Sequence, residues 1–568
     1  MKIFLPFSLF LLVVSSGYAP HKAECPGGRL TREAKGISPQ EAEWVAKRQT
    51  ITTRNLERFL ENSALEHFDP QSFLSDTSSG RAISIGLAFS GGAYRAMLTG
   101  AGCFAALDNR TEGAHDNGLG GLVQSATYIS GLSGGSWLLG SIVANDFTSI
   151  QNILDGKTDI WDLHNSMLEG SSGGMFGVLK YYVQLVADVS AKAAAGFRVT
   201  LTDLFARGVS HQIFPKDGGN GAGLTWSDIQ TSQVFVDHQM PFPVIVANAR
   251  TPRSGTVNSD STIIEMTPLE FGSWDPSLNS FTQTKYLGTS VNNGFPVDGT
   301  CVTGFDNVGF MLGASSTIFN VITDKIPGMP FLASVKKDVD RFFKGITKAD
   351  RFVAAFKPNP FRNVAEARNH DLIGADTLSL VDGGEDLENI PLYPHIQKAR
   401  GVDIVFAFDS SDDTKNDWPN GTALFETYKR MTMGQGRTMC LPQIPEPETF
   451  VGLGLNKKPV FFGCDSSDPK DSNMGETTGH IPPLIVYTAN RKVSYDSNKS
   501  TFKLSYSDDE KRRMIRNGFE VASRNNGTED RSWRTCVACA IIRREQERRG
   551  VEQTEQCKKC FQEYCWRD

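Results

Sequence analysis

The sequence predicts an α/β protein: a three-layer α/β/α sandwich around a mostly parallel central sheet with large insertions. Three observations carry that expectation. Short apolar runs alternate with helical stretches along the chain, as expected of strands covered on both faces. Two of those runs end in Gly-rich turns that lead directly into helices. Hydrophobic residues make up 39% of the 568, with 54 Gly besides, which supports a sizeable core and excludes a wholly disordered chain.

The elements follow in order. Residues 20–80 read as helical and polar, most clearly at 41–48. A strand over 83–89 runs through Ser90, Gly91 and Gly92 into a helix from Tyr94. A second strand, over 126–130, runs through Gly131, Leu132, Ser133, Gly134 and Gly135 into a helix at 137–139. Residues 174–186 are strongly apolar; a buried helix is the plainer reading, and a lid or lipid-contacting patch is the alternative. Further strands are predicted at 243–247, 378–381 and 402–408. Residues 255–350 are rich in Gly, Ser and Asn in their first half and read as insertion or loop. No repeat and no polar linker divides the chain, so residues 20–568 read as a single domain.

The first nineteen residues read differently. Lys2, an apolar run over 3–14, and the small residues Ser15, Ser16, Gly17 and Ala19 form the pattern of a secretory leader. Cleavage after Ala19 fits the small-residue rule, with Pro20 following. The apolar run is shorter than the roughly 20 residues a membrane span needs. The C-terminal end carries no hydrophobic tail of the lipid-anchor type. Asn109, Asn420, Asn498 and Asn526 lie in Asn-x-Ser/Thr sequons, the acceptors of N-linked sugar in exported chains. The formal net charge of −6 argues against nucleic acid as a partner.

There are ten cysteines. Cys536, Cys539, Cys557 and Cys560 form two C-x-x-C pairs whose spacing suits a four-cysteine zinc site. Export to an oxidising compartment favours disulfides instead. With Cys565 nearby, both ends of the intervening helix then become candidates for staples.

The chemistry-bearing residues sit at the turns. Residues 131–135 match G-x-S-x-G, in which a strand turns sharply into a helix and presents a serine. The helix start also offers free N–H groups and a positive dipole where an oxyanion would form. Residues 90–95 offer similar N–H groups, and Arg95 is suited to a phosphate. Asp382 stands at the end of a strand, before two glycines, with Glu385 and Asp386 as competing carboxylates. A Ser–acid–His hydrolase would need His370, His395 or His480, of which His480 is the best candidate.

Three long stretches, SGGAYRAMLTGAG at 90–102, YISGLSGGSWLLGS at 128–141 and VDGGEDLENIPLYP at 381–394, together resemble the fungal phospholipase B, or lysophospholipase, family, related to the group IV cytosolic phospholipases. The flank at 25–45 and the cysteine-rich end at 536–566 match as well. The resemblance implies a Ser–Asp dyad with Ser133 as nucleophile, Asp382 as base and Arg95 assisting near the phosphate or oxyanion. It implies oxyanion N–H groups at Gly92 and Ala93, with Gly134 adding a third. The family commonly has Gly where Ala93 stands, so a positive φ there would strain this chain. The implied activity is release of fatty acid from lysophospholipids and diacyl phospholipids through an acyl-enzyme, with acyl transfer as a side reaction. No metal, cofactor or protein partner is implied, and no calcium-loop pattern is present. The competing readings are a secreted esterase or triacylglycerol lipase with a Ser–Asp–His triad, and a catalytically inert lipid-binding protein. An intact Ser133, Arg95 and Asp382 speak against the latter.

Overall fold

The structure, a computed structural model, describes residues 17–568 except 77, 168–173, 253–256, 318–351, 467–480 and 568. Sixteen strands are described: β1 His21–Ala23, β2 Thr31–Glu33, β3 Ile85–Phe89, β4 Tyr128–Gly131, β5 Phe242–Arg250, β6 Thr262–Met266, β7 Glu270–Ser273, β8 Ser280–Gln283, β9 Val291–Asn292, β10 Phe295–Pro296, β11 Cys301–Thr303, β12 Ala354–Phe356, β13 Leu378–Val381, β14 Ile404–Asp409, β15 Val460–Phe462 and β16 Leu484–Ala489. Twelve of them form one sheet in the order β15-β16-β14-β3-β4-β5-β6-β7-β8-β2, with β13 on β5 and β12 on β13.

The middle of that sheet, β16-β14-β3-β4-β5, is parallel. β3 and β4 are buried at every position, because helices cover both faces; this is why they read as unbroken apolar runs. The helices that matter below are α1 Pro39–Glu61, α2 Ala93–Leu107, α3 Gly134–Val143, α4 Gly174–Ala194, α5 Leu201–Ile213, α6 Val308–Ser316, α7 Asp508–Ala522, α8 Trp533–Arg549 and α9 Glu555–Tyr564. α2 is buried along its whole length, between the sheet and α7. Gly102 and Gly518 allow the closest approach of these two helices: a Cβ on Gly518 would lie 2.1 Å from the Thr99 carbonyl oxygen.

The fold class holds, with the parallel run confined to the centre. The segment expected to be loop after residue 255 instead supplies β6, β7 and β8, an antiparallel extension of the same sheet. Residues 20–80 contain α1 as expected, but also β1 and β2, each a short edge pairing with a distant strand. The apolar stretch at 174–186 falls in α4, which buries Tyr181, Tyr182, Leu185 and Val189 and exposes Val183. No helix among the described residues is long and apolar enough to cross a membrane.

Disulfides join Cys25–Cys301, Cys464–Cys565, Cys536–Cys560 and Cys539–Cys557. The two C-x-x-C pairs therefore bond to each other, tying the first turns of α8 to α9, rather than to the two ends of one helix. Cys103 and Cys440 are buried thiols. Among the described residues no cluster of His, Cys, Asp and Glu is arranged to hold a metal ion.

The strand pairing brings distant sequence together at one point. Ile245 pairs with both β4 and β6, so these lie on opposite edges of β5. Asn248 and Ala249 pair with both β6 and β13, so β13 also lies opposite β6. β4 and β13 therefore share one edge of β5 and approach each other end to end. Gly131 stands across from Ile245 and Val381 across from Asn248. The chain leaving β4 reaches Ser133 where the chain leaving β13 reaches Asp382. The sequence places both at strand ends; β13 arrives antiparallel to β5, against the direction of the parallel strands.

Candidate active site

Three glycines, Gly131, Gly134 and Gly135, let the turn after β4 close around Ser133. A Cβ on Gly131 would lie 2.5 Å from the Gly135 carbonyl oxygen, one on Gly134 2.0 Å from that of Ala93, and one on Gly135 2.1 Å from that of Phe89. All three contacts are with backbone, which cannot move aside. Ser133, held at φ 48° and ψ −122°, occupies a conformation that costs a non-Gly residue about 1–3 kcal/mol and persists only where the surroundings enforce it. Ser315, at the end of α6, does the enforcing. Its Oγ accepts from the Ser133 N–H at 3.0 Å and donates to the Val246 carbonyl at 2.6 Å, tying the turn to β5.

Asp382 is held as firmly. Its N–H donates to the Thr317 carbonyl at 3.0 Å, and the Gly383 N–H to the Ser315 carbonyl at 3.1 Å. The Asn248 amide, on β5, donates to the Gly383 carbonyl at 3.1 Å. The Ser133 hydroxyl donates to Asp382 Oδ2 at 2.7 Å, and the Gly384 N–H donates to Oδ1 at 2.8 Å. Ser133 is 7% exposed and Asp382 5%. Burial pushes the Asp382 carboxyl up to about 6, against the lowering effect of its bonds to Gly384 and Ser133. A carboxylate so raised is a better proton acceptor than an ordinary aspartate and is still ionised at neutral pH.

Of the three carboxylates considered from sequence, Asp382 alone bonds to Ser133 among the described residues. Burial also raises Asp386 to about 6. Beneath this loop Arg430, wholly buried, pairs with Asp275 at 2.7 Å and Glu388 at 3.3 Å. The loop thus rests on a buried ion network that leaves Asp382 free for the hydroxyl.

The turn after β3 packs against the first. The Gly91 N–H donates to the Asn389 carbonyl at 3.0 Å, and the Asn389 amide donates back to the Gly91 carbonyl at 3.2 Å and to Ser411 Oγ at 2.8 Å. Gly92 has φ 131° and Ala93 φ 50°, so the strain anticipated for an Ala at this position is present. Among the described residues the N–H groups of Gly92, Ala93 and Gly134 meet no acceptor in the protein. They cluster where α2 and α3 begin, so both helix dipoles add positive potential there.

Arg95 is 0% exposed. Its Nε donates to the Ser410 carbonyl at 2.8 Å, and Nη1 to the Lys499 carbonyl at 2.7 Å and to Thr501 Oγ1 at 3.0 Å. Nη2 lies 3.5 Å from Asp412 Oδ1, and a Cβ on Gly92 would sit 2.4 Å from it. The guanidinium is thus packed behind the Gly92 turn, and all four of these polar contacts are with neighbouring loops.

The histidines stand apart. His395 is buried, shares a 2.7 Å hydrogen bond with Ser130 Oγ, and is pushed down to about 3 by burial and by Arg400. His370 is exposed at the start of a short helix, and His480 lies outside the described residues. Neither Ser133 nor Asp382 bonds to a histidine among the described residues. Ser315, Asn248 and Asn389 were not singled out from sequence. Asn389, inside the third matching stretch, is the one that could have been.

The chain matches the family model described as "Lysophospholipase catalytic domain" over residues 85–568. It is 48% identical to Lysophospholipase 3 of Candida albicans over 558 residues, covering 97% of this chain and 74% of that protein. It is 43% identical to Lysophospholipase 3 of Saccharomyces cerevisiae, covering 98% and 83%. The fold is similar to that of human GIVD cytosolic phospholipase A2, with a TM-score of 0.64 at 16% identity over 92% of this chain and 66% of that one. The chain belongs to the lysophospholipase family and carries its catalytic domain, that of a carboxylic ester hydrolase.

Proposed function

We propose that the protein is a secreted lysophospholipase/phospholipase B that cleaves acyl esters of lysophospholipids and diacyl phospholipids through a Ser133–Asp382 dyad. The observation that carries this reading is the buried 2.7 Å hydrogen bond from Ser133 Oγ to Asp382. Asp382 accepts the hydroxyl proton as Oγ attacks the ester carbonyl. The N–H groups of Gly92, Ala93 and Gly134 take the oxyanion charge. As the C–O bond breaks, the proton passes from Asp382 to the departing glycerol oxygen, leaving the fatty acyl group on Ser133. Water, deprotonated by Asp382, then releases the fatty acid; a second lysolipid hydroxyl in place of water gives acyl transfer. Arg95 serves the oxyanion turn from behind by locking it to the loops at Ser410 and Lys499.

An N-terminal leader directs export, and the sequons at Asn109, Asn420, Asn498 and Asn526 carry sugar in the exported chain. Exposure of Asn109 and Asn526 favours these two as acceptors.

The test is fatty acid release from lysophosphatidylcholine in EDTA. Ser133→Ala and Asp382→Asn are expected to lose at least about 10³-fold in kcat while remaining folded. Retained turnover in a folded Asp382→Asn protein would remove Asp382 from the reaction and reopen the search for a histidine.

A further inference from the structure

The segment at the start of the described chain points to a processing site. Tyr18 is 1% exposed. Its hydroxyl donates to Asp203 Oδ1 at 3.0 Å, and the same oxygen accepts from Lys192 Nζ at 2.7 Å. The Lys192 ammonium lies 5.4 Å, and the Arg207 guanidinium 5.5 Å, from the centre of the Tyr18 ring. Arg207 pairs with Asp188 at 2.9 Å. All four charged residues are buried. Asp203 also starts α5: its Oδ2 accepts from the Thr200 N–H at 2.8 Å. The two buried ion pairs therefore share the Tyr18 ring, while Lys192 also packs against Phe310 at 3.5 Å and Phe305 at 4.6 Å. Buried charges are stable only with their full set of neighbours, and removing one neighbour leaves the rest poorly compensated.

Pro20 is buried as well. Just beyond it β1 pairs with β11, and Cys25 is bonded to Cys301, so this segment is a built-in part of the fold. Gly17, by contrast, is exposed.

A leader ending at Ala19 would discard Tyr18 and open a ring-sized hole onto the two ion pairs. Two residues earlier, the Gly17–Tyr18 bond has Ser15 and Gly17 in the positions where processing requires small residues. It also has Tyr18, rather than Pro20, on the far side. We propose that the leader is removed at the Gly17–Tyr18 bond, so that Tyr18 is the first residue of the mature enzyme and closes the Asp203–Lys192–Arg207 cluster. The step is hydrolysis by a leader peptidase of the exporting cell: water adds across the peptide bond, Gly17 leaves with the new carboxylate and Tyr18 keeps the new ammonium.

The inference rests on the reading of the chain as exported, and the experiment separates the two. The full-length chain is secreted from a host cell and the N-terminal peptide is identified by mass spectrometry. A start at Tyr18 is expected. A start at Pro20 overturns the inference and leaves export standing; an active protein that retains Met1 overturns both. A second arm compares chains released at Tyr18 and at Pro20 from a foreign leader. The Pro20 chain is expected to melt lower by roughly 5 °C or more, with Tyr18→Phe, which keeps the ring and loses the hydroxyl, between the two. Equal melting of all three would show that the ring closes nothing.

Discussion

The two turns that flank the site are built alike and braced differently. Each follows a buried parallel strand and opens a buried helix. Each holds one non-Gly residue at a positive φ, 50° at Ala93 and 48° at Ser133. At Ser133 the strain has a purpose, because that backbone carries the hydroxyl to Asp382. At Ala93 the side chain is a bare methyl group, and only the N–H is at stake. The Ser133 turn is held by a short hydroxyl clamp from Ser315. The Ala93 turn is held by a long guanidinium packed behind it and by Asn389 across it. Strain is tolerated equally in both places, but only one of them needs it.

The sharpest way to break the pair is Gly134→Ala. The added Cβ would meet the Ala93 carbonyl at 2.0 Å, forcing the turns apart. A loss of about 3 kcal/mol in stability and at least about 100-fold in kcat is expected, read by denaturant unfolding and lysolipid turnover.

Arg95→Lys comes next. Lysine cannot reproduce a fork shared among Ser410, Lys499 and Thr501. A brace predicts a similar fall in kcat, about 10–100-fold, on lysophosphatidylcholine and on a phosphate-free monoacylglycerol. A loss confined to the phosphate-bearing substrate would put the guanidinium on the headgroup.

Acid should act on both turns, through Asp382 bonded to the Ser133 hydroxyl and through the carboxylates of Asp409, Asp412 and Asp413 around Arg95. With Asp382 raised to about 6, kcat/KM is expected to fall about tenfold per pH unit below 6. Stability moves the other way. The folded state binds this proton more tightly than the unfolded chain, whose value is near 3.8. The group therefore favours folding fully below that value and loses the contribution as pH rises through about 6. Asp382→Asn should erase that increment from the pH dependence of unfolding.

The smallest effect is expected for Ala93→Gly. It removes the αL strain and adds chain entropy to the unfolded state, for a net gain of about 0.5–1 kcal/mol. Activity should stay within twofold. A marked loss would show that the methyl group holds the turn in place.

How much of this was legible beforehand depended on how each residue earns its place. Ser133 and Asp382 were visible because chemistry and crowding force small neighbours around them, and glycines leave a pattern. Ser315 was invisible: it is one hydroxyl in an otherwise apolar helix, and its role exists only because α6 passes over two strand ends. Asn248 lay one residue beyond the strand predicted over 243–247, whereas β5 runs on to Arg250. The antiparallel half of the sheet was missed for a related reason. β6 contains Glu265, which reads as solvent-facing but is buried and paired with Arg400 at 2.8 Å. Its partner lies 135 residues away, beyond the reach of any local pattern. Likewise nothing near Cys565 indicated Cys464, 101 residues earlier.

The cross-stitched pair of α8 and α9 has a consequence of its own. The connection between them, residues 550–554, is short and includes exposed Val551, while two disulfides join the helices on either side. A protease that cuts this connection severs the backbone without releasing a fragment. The nicked chain runs as one species until it is reduced. The C-terminal end is therefore fastened in the manner of a two-chain protein, and the peptide bond there is the dispensable link.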